Sequence, residues 1–307
     1  MSDLILHHYA MSPFSEKIRA MLGYTQLPWQ SVITREMPPR PHLDEVLVGG
    51  YRKIPVAQSG ADLFCDSRII TSEIAALSNQ PALAMENGSD ALQQFVQRTD
   101  LQVFFACVMS ANSKAMARKA RASLSWLDLG KLVWDRINMG RKASVKMAGP
   151  KQAGPIVTAH LQQLESMLSG NDWLFGSTPT IADFSAYHGL WFIRDLAERS
   201  LISHYPRVNA WMDRIKSYGE GQRRDISIAD AVSIARAAQP RPIAAADQND
   251  AQINRPVSIA PSDYGQTPTR GVLVGANANR WIIAREHADV GTVHVHLPKQ
   301  GMKLTVL

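Results

Sequence analysis

Cysteine is almost missing from this chain of 307 residues, which carries only Cys65 and Cys107. Two thiols build no disulfide framework, so a small stapled secreted scaffold is excluded and a reducing, cytoplasmic compartment is expected. Long apolar runs are missing as well. No stretch reaches eighteen apolar residues, and the start lacks the basic, apolar and small-residue pattern of a secretory signal, so neither a membrane span nor export is expected. No groove-reading motif accompanies the basic balance of +6, so nucleic acid is not expected as a partner.

What is present is an apolar content of 45%, enough for packed cores in two or three domains. The basic charge concentrates between Lys114 and Lys151, at Arg118, Lys119, Arg121, Lys131, Arg136, Arg141, Lys142 and Lys146. These alternate with Leu124, Trp126, Leu127, Leu132, Trp134 and Ile137, the pattern of amphipathic helices with a solvated basic face.

Local chemistry is concentrated in the first eighty residues. Leu4 to Tyr9 reads as a strand, and Ser12-Pro13-Phe14-Ser15-Glu16 follows as a helix start, with Ser12 as N-cap and Pro13 pre-organised for the first turn. A hydroxyl delivered to a helix start is able to hold a thiolate. A second helix start recurs at Asp66-Ser67, before the amphipathic run Arg68 to Ile74, and Lys53-Ile54-Pro55-Val56 lies between them. Val56 to Cys65 reads as a hairpin turning at Ser59 to Asp62.

These three stretches, in this order, resemble the thioredoxin-like N-terminal domain of the glutathione transferase family, in the Ser-Pro-Phe-Ser form of its serine classes, tau-like or zeta-like. The resemblance implies an α+β multidomain protein. A thioredoxin-like glutathione-binding domain is expected over 1–80, an all-helical domain over 89–222, and a small β-rich extension, sheet or barrel, over 240–307. Thr180-Ile181-Ala182-Asp183 is a capping box variant that the family uses to open a buried helix, a role in folding. Tyr205-Pro206 to Trp211 matches a run that begins a late helix in the family. Beyond a helix at 227–238, Pro240 to Arg255 reads as a linker. Short apolar runs at Val257, Val272, Trp281, Thr292 and Leu304 then alternate with turns.

By the same resemblance, Ser12 is the catalytic candidate, directing its hydroxyl to the glutathione thiol. A helix terminus alone contributes about 0.3 to 1 kcal/mol, under one pKa unit, so a donor is needed as well. Ser12 is equally a plain N-cap, and Ser15 and Tyr9 are rival donors. Ile54 and Pro55, as a cis pair, present backbone to the cysteinyl part, and Lys53 faces the glycyl carboxylate. Asp66 accepts the γ-glutamyl ammonium and Ser67 its carboxylate. Arg40 and His42 lie where the family contacts the glycine end. A small electrophile is expected near the Met11 loop, Phe104, Phe105, Val108 and Met109, residues that also suit a helical core.

No metal is expected. His294 and His296 alternate onto one strand face with His287 near, but no partner has ligand spacing. The implied protein is a cytoplasmic, homodimeric detoxification enzyme with glutathione as cosubstrate and a basic surface that steers it, isomerase or peroxidase chemistry being a neighbouring possibility. The rival is a non-catalytic glutathione-binding or scaffold protein whose β-rich extension binds a partner.

Overall fold

The computed structural model describes residues 3–123, 125–141 and 149–307. Leu124, Lys142 and Lys146 of the basic stretch lie outside the described residues.

The chain begins as β1 (Leu4–His8), α1 (Pro13–Thr25), β2 (Pro28–Ile33), β3 (Val56–Ser59), β4 (Asp62–Cys65) and α2 (Ser67–Leu77). β1 pairs parallel with β2 and antiparallel with β3, and β3 pairs antiparallel with β4. This is a thioredoxin-like sheet. Each helix starts where its capping residue predicts: Ser12 Oγ accepts from the Ser15 amide at 3.2 Å, and Asp66 accepts from the Arg68 amide at 3.1 Å.

Helices follow: α3 (Asp90–Arg98), α4 (Phe104–Ser110), α5 (Lys114–Ser123), α6 (Trp126–Arg141), α7 (Pro150–Met167), α8 (Ile181–Trp191) and α9 (Pro206–Lys216). A π-turn, Thr99–Val103, joins α3 to α4. α8 is buried from Ile181 to Leu190, and Asp183 at its start accepts from the Thr180 and Leu174 amides and from Trp211 Nε1, at 2.9 to 3.0 Å. One carboxylate therefore satisfies orphan donors from a helix terminus, the preceding loop and α9, the folding role foreseen for this box. α5 and α6 carry the basic stretch and leave Trp126, Leu127 and Trp134 exposed.

The remainder comprises β5 (Gln222–Asp225), α10 (Ile228–Ala237), β6 (Pro256–Pro261), β7 (Thr269–Ala276), β8 (Arg280–His287), β9 (Gly291–Pro298) and β10 (Met302–Val306). β6 to β10 pair antiparallel with one another, which gives the expected β-rich extension. They are continuous with the first domain, because β9 pairs parallel with β4 through Asp62 to His294, Leu63 to Val295 and Phe64 to His296. The result is a ten-stranded sheet in the order β10-β6-β7-β8-β9-β4-β3-β1-β2-β5.

Strand alternation explains the join. Phe64 packs with the helical domain, whereas Leu63 and Cys65 face a second core containing Leu43, Tyr51, Val257, Leu273 and Val295. β5, which pairs with β2, lies between the predicted helices and has no apolar alternation by which to find it.

Candidate functional site

α1, α2, α3 and the extension meet at a cavity of about 400 Å³. Lys53, Ile54, Pro55, Asp66 and Ser67 all line it, so five residues nominated from two separate motifs converge on one cavity. The Ile54–Pro55 bond is cis. Asp66, at φ 82°, is clamped by Arg68, whose Nε and Nη2 each lie 2.9 Å from a carboxylate oxygen. Burial opposes the charge of Asp66, but the Arg68 guanidinium, with Lys53 beside it, holds its carboxyl well below the usual range. Asp66 is thus an anion at the start of α2, its carboxylate shared between the Arg68 guanidinium and the Arg68 amide.

Ser12 and Arg40 lie outside the cavity lining. Ser12 is 2% exposed; its Oγ is used as an acceptor by the Ser15 amide, which leaves the hydroxyl proton free to point elsewhere. Two residues on, Phe14 does line the cavity. Ser15 is fully buried with no hydrogen-bond partner for its Oγ among the described residues. Arg40 is buried and internal: it pairs with Asp44 at 3.0 Å and donates to the Arg52 carbonyl at 2.5 Å, and so braces the loop that carries Lys53. Phe104 packs on Phe14 and Phe105 on Tyr264, while Met109 is 45% exposed.

The opposite wall holds residues that the sequence did not single out. Asp100, on the π-turn, lines the cavity and lies 2.7 Å from the buried Lys17 ammonium. Asp100 Oδ1 also stands 4.0 Å from His188 Nδ1, and the His188 ring stacks on Phe104. Burial lowers the His188 pKa to about 4, against the pull of Asp100, so this ring is neutral at physiological pH. The extension adds Ser262, Asp263, Tyr264, Gln300 and Gly301. A turn-like sequence marks residues 262–265, but nothing in it points to a wall some two hundred residues earlier in the chain.

Both cysteines are buried. Burial pushes the Cys107 thiol up to about 12 and raises Cys65 well above its ordinary value, so neither supplies a nucleophile. Among the described residues no group of three or more His, Cys, Asp or Glu side chains is placed to hold a metal ion, and no helix is long and apolar enough to cross a membrane.

A thioredoxin-like domain whose cis-proline loop and helix start face a helical domain is the two-part architecture of the glutathione transferase class. Residues 6–82 match the family description "Glutathione S-transferase, N-terminal domain" and residues 152–214 match "Glutathione S-transferase, C-terminal domain". A solved GST-like protein from Pseudomonas syringae is 32% identical, with a TM-score of 0.75 over 99% of each chain. The chain belongs to the glutathione S-transferase family. That match runs through the β-rich extension, so the third part is shared with the Pseudomonas protein. A curated relative, FtsZ-localized protein A of Caulobacter vibrioides, is 26% identical over 185 residues, covering 59% of this chain and 73% of that one.

Proposed function

We propose that the protein is a cytoplasmic glutathione transferase, a homodimer acting in detoxification, that binds glutathione along the Lys53–Ser67 wall and adds its thiolate to a small electrophile. The observation that carries this reading is the convergence of Lys53, Ile54, Pro55, Asp66 and Ser67 on one cavity. In it the γ-glutamyl ammonium meets Asp66, the γ-glutamyl carboxylate meets Ser67 and the first turn of α2, and the cysteinyl backbone runs along Ile54. Ser12 donates its free hydroxyl proton to the sulfur while its oxygen remains the cap of α1. Arg40 acts at one remove, by bracing the loop of Lys53. The electrophile enters on the side of Phe14, Met85 and Val96.

Calorimetric titration with glutathione, beside ultraviolet detection of bound thiolate, tests the reading. Wild-type protein is expected to bind and to develop a thiolate band; Ser12→Ala is expected to bind similarly and to lose most of the band, with a tenfold or greater fall in turnover of an aryl chloride. Absence of binding at millimolar glutathione would refute the enzyme.

A second reading is favoured by the Asp263 carboxylate, which lies 2.7 Å from Lys53 Nζ within the cavity, and by a relative whose name records association with FtsZ rather than a reaction. On this reading the chain is a non-catalytic scaffold whose extension binds a partner protein. Glutathione binding without turnover of any electrophile would support it.

A further inference from the structure

Two loops of the extension are fastened over the cavity wall. In the first, Asp263 Oδ1 lies 2.7 Å from Lys53 Nζ, and the same ammonium sits 3.9 Å from the centroid of the Tyr264 ring. Tyr264 in turn packs edge-on against Phe105 of the helical domain, at 5.5 Å. The loop is held close to the chain around Gly50, which has φ +124°; a Cβ there would stand 2.3 Å from the Pro268 carbonyl oxygen. In the second loop, the Gln300 carbonyl accepts from Arg68 Nη1 at 2.6 Å. The attachment is therefore built from packing and hydrogen bonds in addition to a largely buried ion pair.

The charge balance of the cavity follows from these contacts. The cations among its lining residues are Lys53 and Arg68, paired with Asp263 and Asp66. Asp100 adds a further lining carboxylate, paired from behind with Lys17. A tripeptide whose far end carries a carboxylate thus reaches a lysine that already holds one, and two carboxylates at one ammonium repel each other in a half-buried site.

We propose that Asp263 is a specificity-determining residue that occupies the carboxylate position at Lys53, so that the cavity selects γ-glutamyl thiol ligands whose distal end is uncharged, as an ester or amide, over those with a free glycyl carboxylate. The proposal rests on the glutathione reading given above and adds to it the ligand class. Recognition is then concentrated on the γ-glutamyl and cysteinyl parts, and the extension, by placing Asp263, sets what the third part of the ligand can be.

The test is a calorimetric comparison of glutathione with its glycyl monoethyl ester on wild-type protein, Asp263→Asn, Lys53→Gln and the double variant. Wild type is expected to bind the ester at least as tightly as glutathione. Asp263→Asn is expected to bind glutathione at least fivefold more tightly while its affinity for the ester changes less than twofold. In the Lys53→Gln background the gain from Asp263→Asn should vanish, which separates competition for the lysine from general loosening of the loop. If Asp263→Asn leaves the ratio of the two ligands unchanged, the selectivity proposal is overturned and the glutathione reading survives. If no form of the protein binds either thiol, both fall together.

Discussion

His296 Nε2 lies 2.7 Å from Asp62 Oδ1, joining the β-rich extension to the hairpin of the thioredoxin-like domain across 234 positions of sequence. Burial opposes the charge of Asp62, but the His296 hydrogen bond and the Arg241 backbone N–H hold its carboxyl below the ordinary range. Arg241 continues the network to Glu73 of α2 at 2.7 Å. His296→Ala removes one partner of a carboxylate that is 1% exposed and is expected to cost about 2 kcal/mol in urea unfolding. Hydrogen exchange should accelerate first in β9 and β4, the strands that this pair joins.

Acid should destabilise the fold before carboxylates protonate. Burial lowers His7 to about 4, His160 to about 3 and His188 to about 4. Since the unfolded chain takes up these protons near pH 6.5 and the folded one only near 3 to 4, folding releases protons in that window. The stability contributed by the neutral rings is fully present above about pH 6.5 and is lost as pH falls toward 4. The melting temperature is expected to drop steadily over this range, and His188→Phe, which keeps an aromatic ring against Phe14 and Phe104, should flatten part of the slope.

Asp183→Ala should be among the most damaging single changes, because four donors, the Leu174 and Thr180 amides, the Thr180 hydroxyl and Trp211 Nε1, lose their acceptor at a buried site. A loss of about 3 kcal/mol or more is expected by urea unfolding, with Asp183→Asn recovering part of it through its remaining carbonyl oxygen.

Gly23 lies inside α1, where alanine ordinarily stabilises a helix by about 1 kcal/mol. Here a Cβ would stand 2.1 Å from the Gly219 carbonyl oxygen, in the turn that leads from α9 to β5. The clash is with backbone, so Gly23→Ala is expected to destabilise by about 2 kcal/mol and to loosen β5, read by exchange of its amides.

Neither Cys65 nor Cys107 should react with iodoacetamide at pH 8 in the folded protein, and both should react at once in urea. Rapid labelling of native protein would contradict the burial described for them.

What the sequence disclosed was what local chemistry can carry. Ser12 with Pro13, Asp66 with Ser67 and Thr180 with Asp183 each announce a helix within a few residues, and each helix begins there. The hairpin of β3 and β4 is marked by its own turn. The convergence of Lys53 and Asp66 was legible through family resemblance, since spacing alone assigns no common cavity. Three features needed distance in sequence to be bridged: the pairing of Leu63 with Val295, the contact of Lys53 with Asp263, and the cluster of Lys17, Asp100 and His188. Hydrophobic alternation shows that Val293 and Val295 belong to a strand, but it does not say which strand will lie beside them. Polar β5 was silent for the opposite reason, having no alternation to read.

The parallel seam between β4 and β9 also sets a timetable for synthesis. At about 5 to 20 residues per second, β4 leaves the ribosome roughly 10 to 50 s before its partner, and during that interval the edge at Asp62 to Cys65 is an unpaired template. The nascent protein is therefore most vulnerable to misassociation after its first domain has emerged and before its last strands have. A chaperone that shields the hairpin edge should raise the yield of full-length protein.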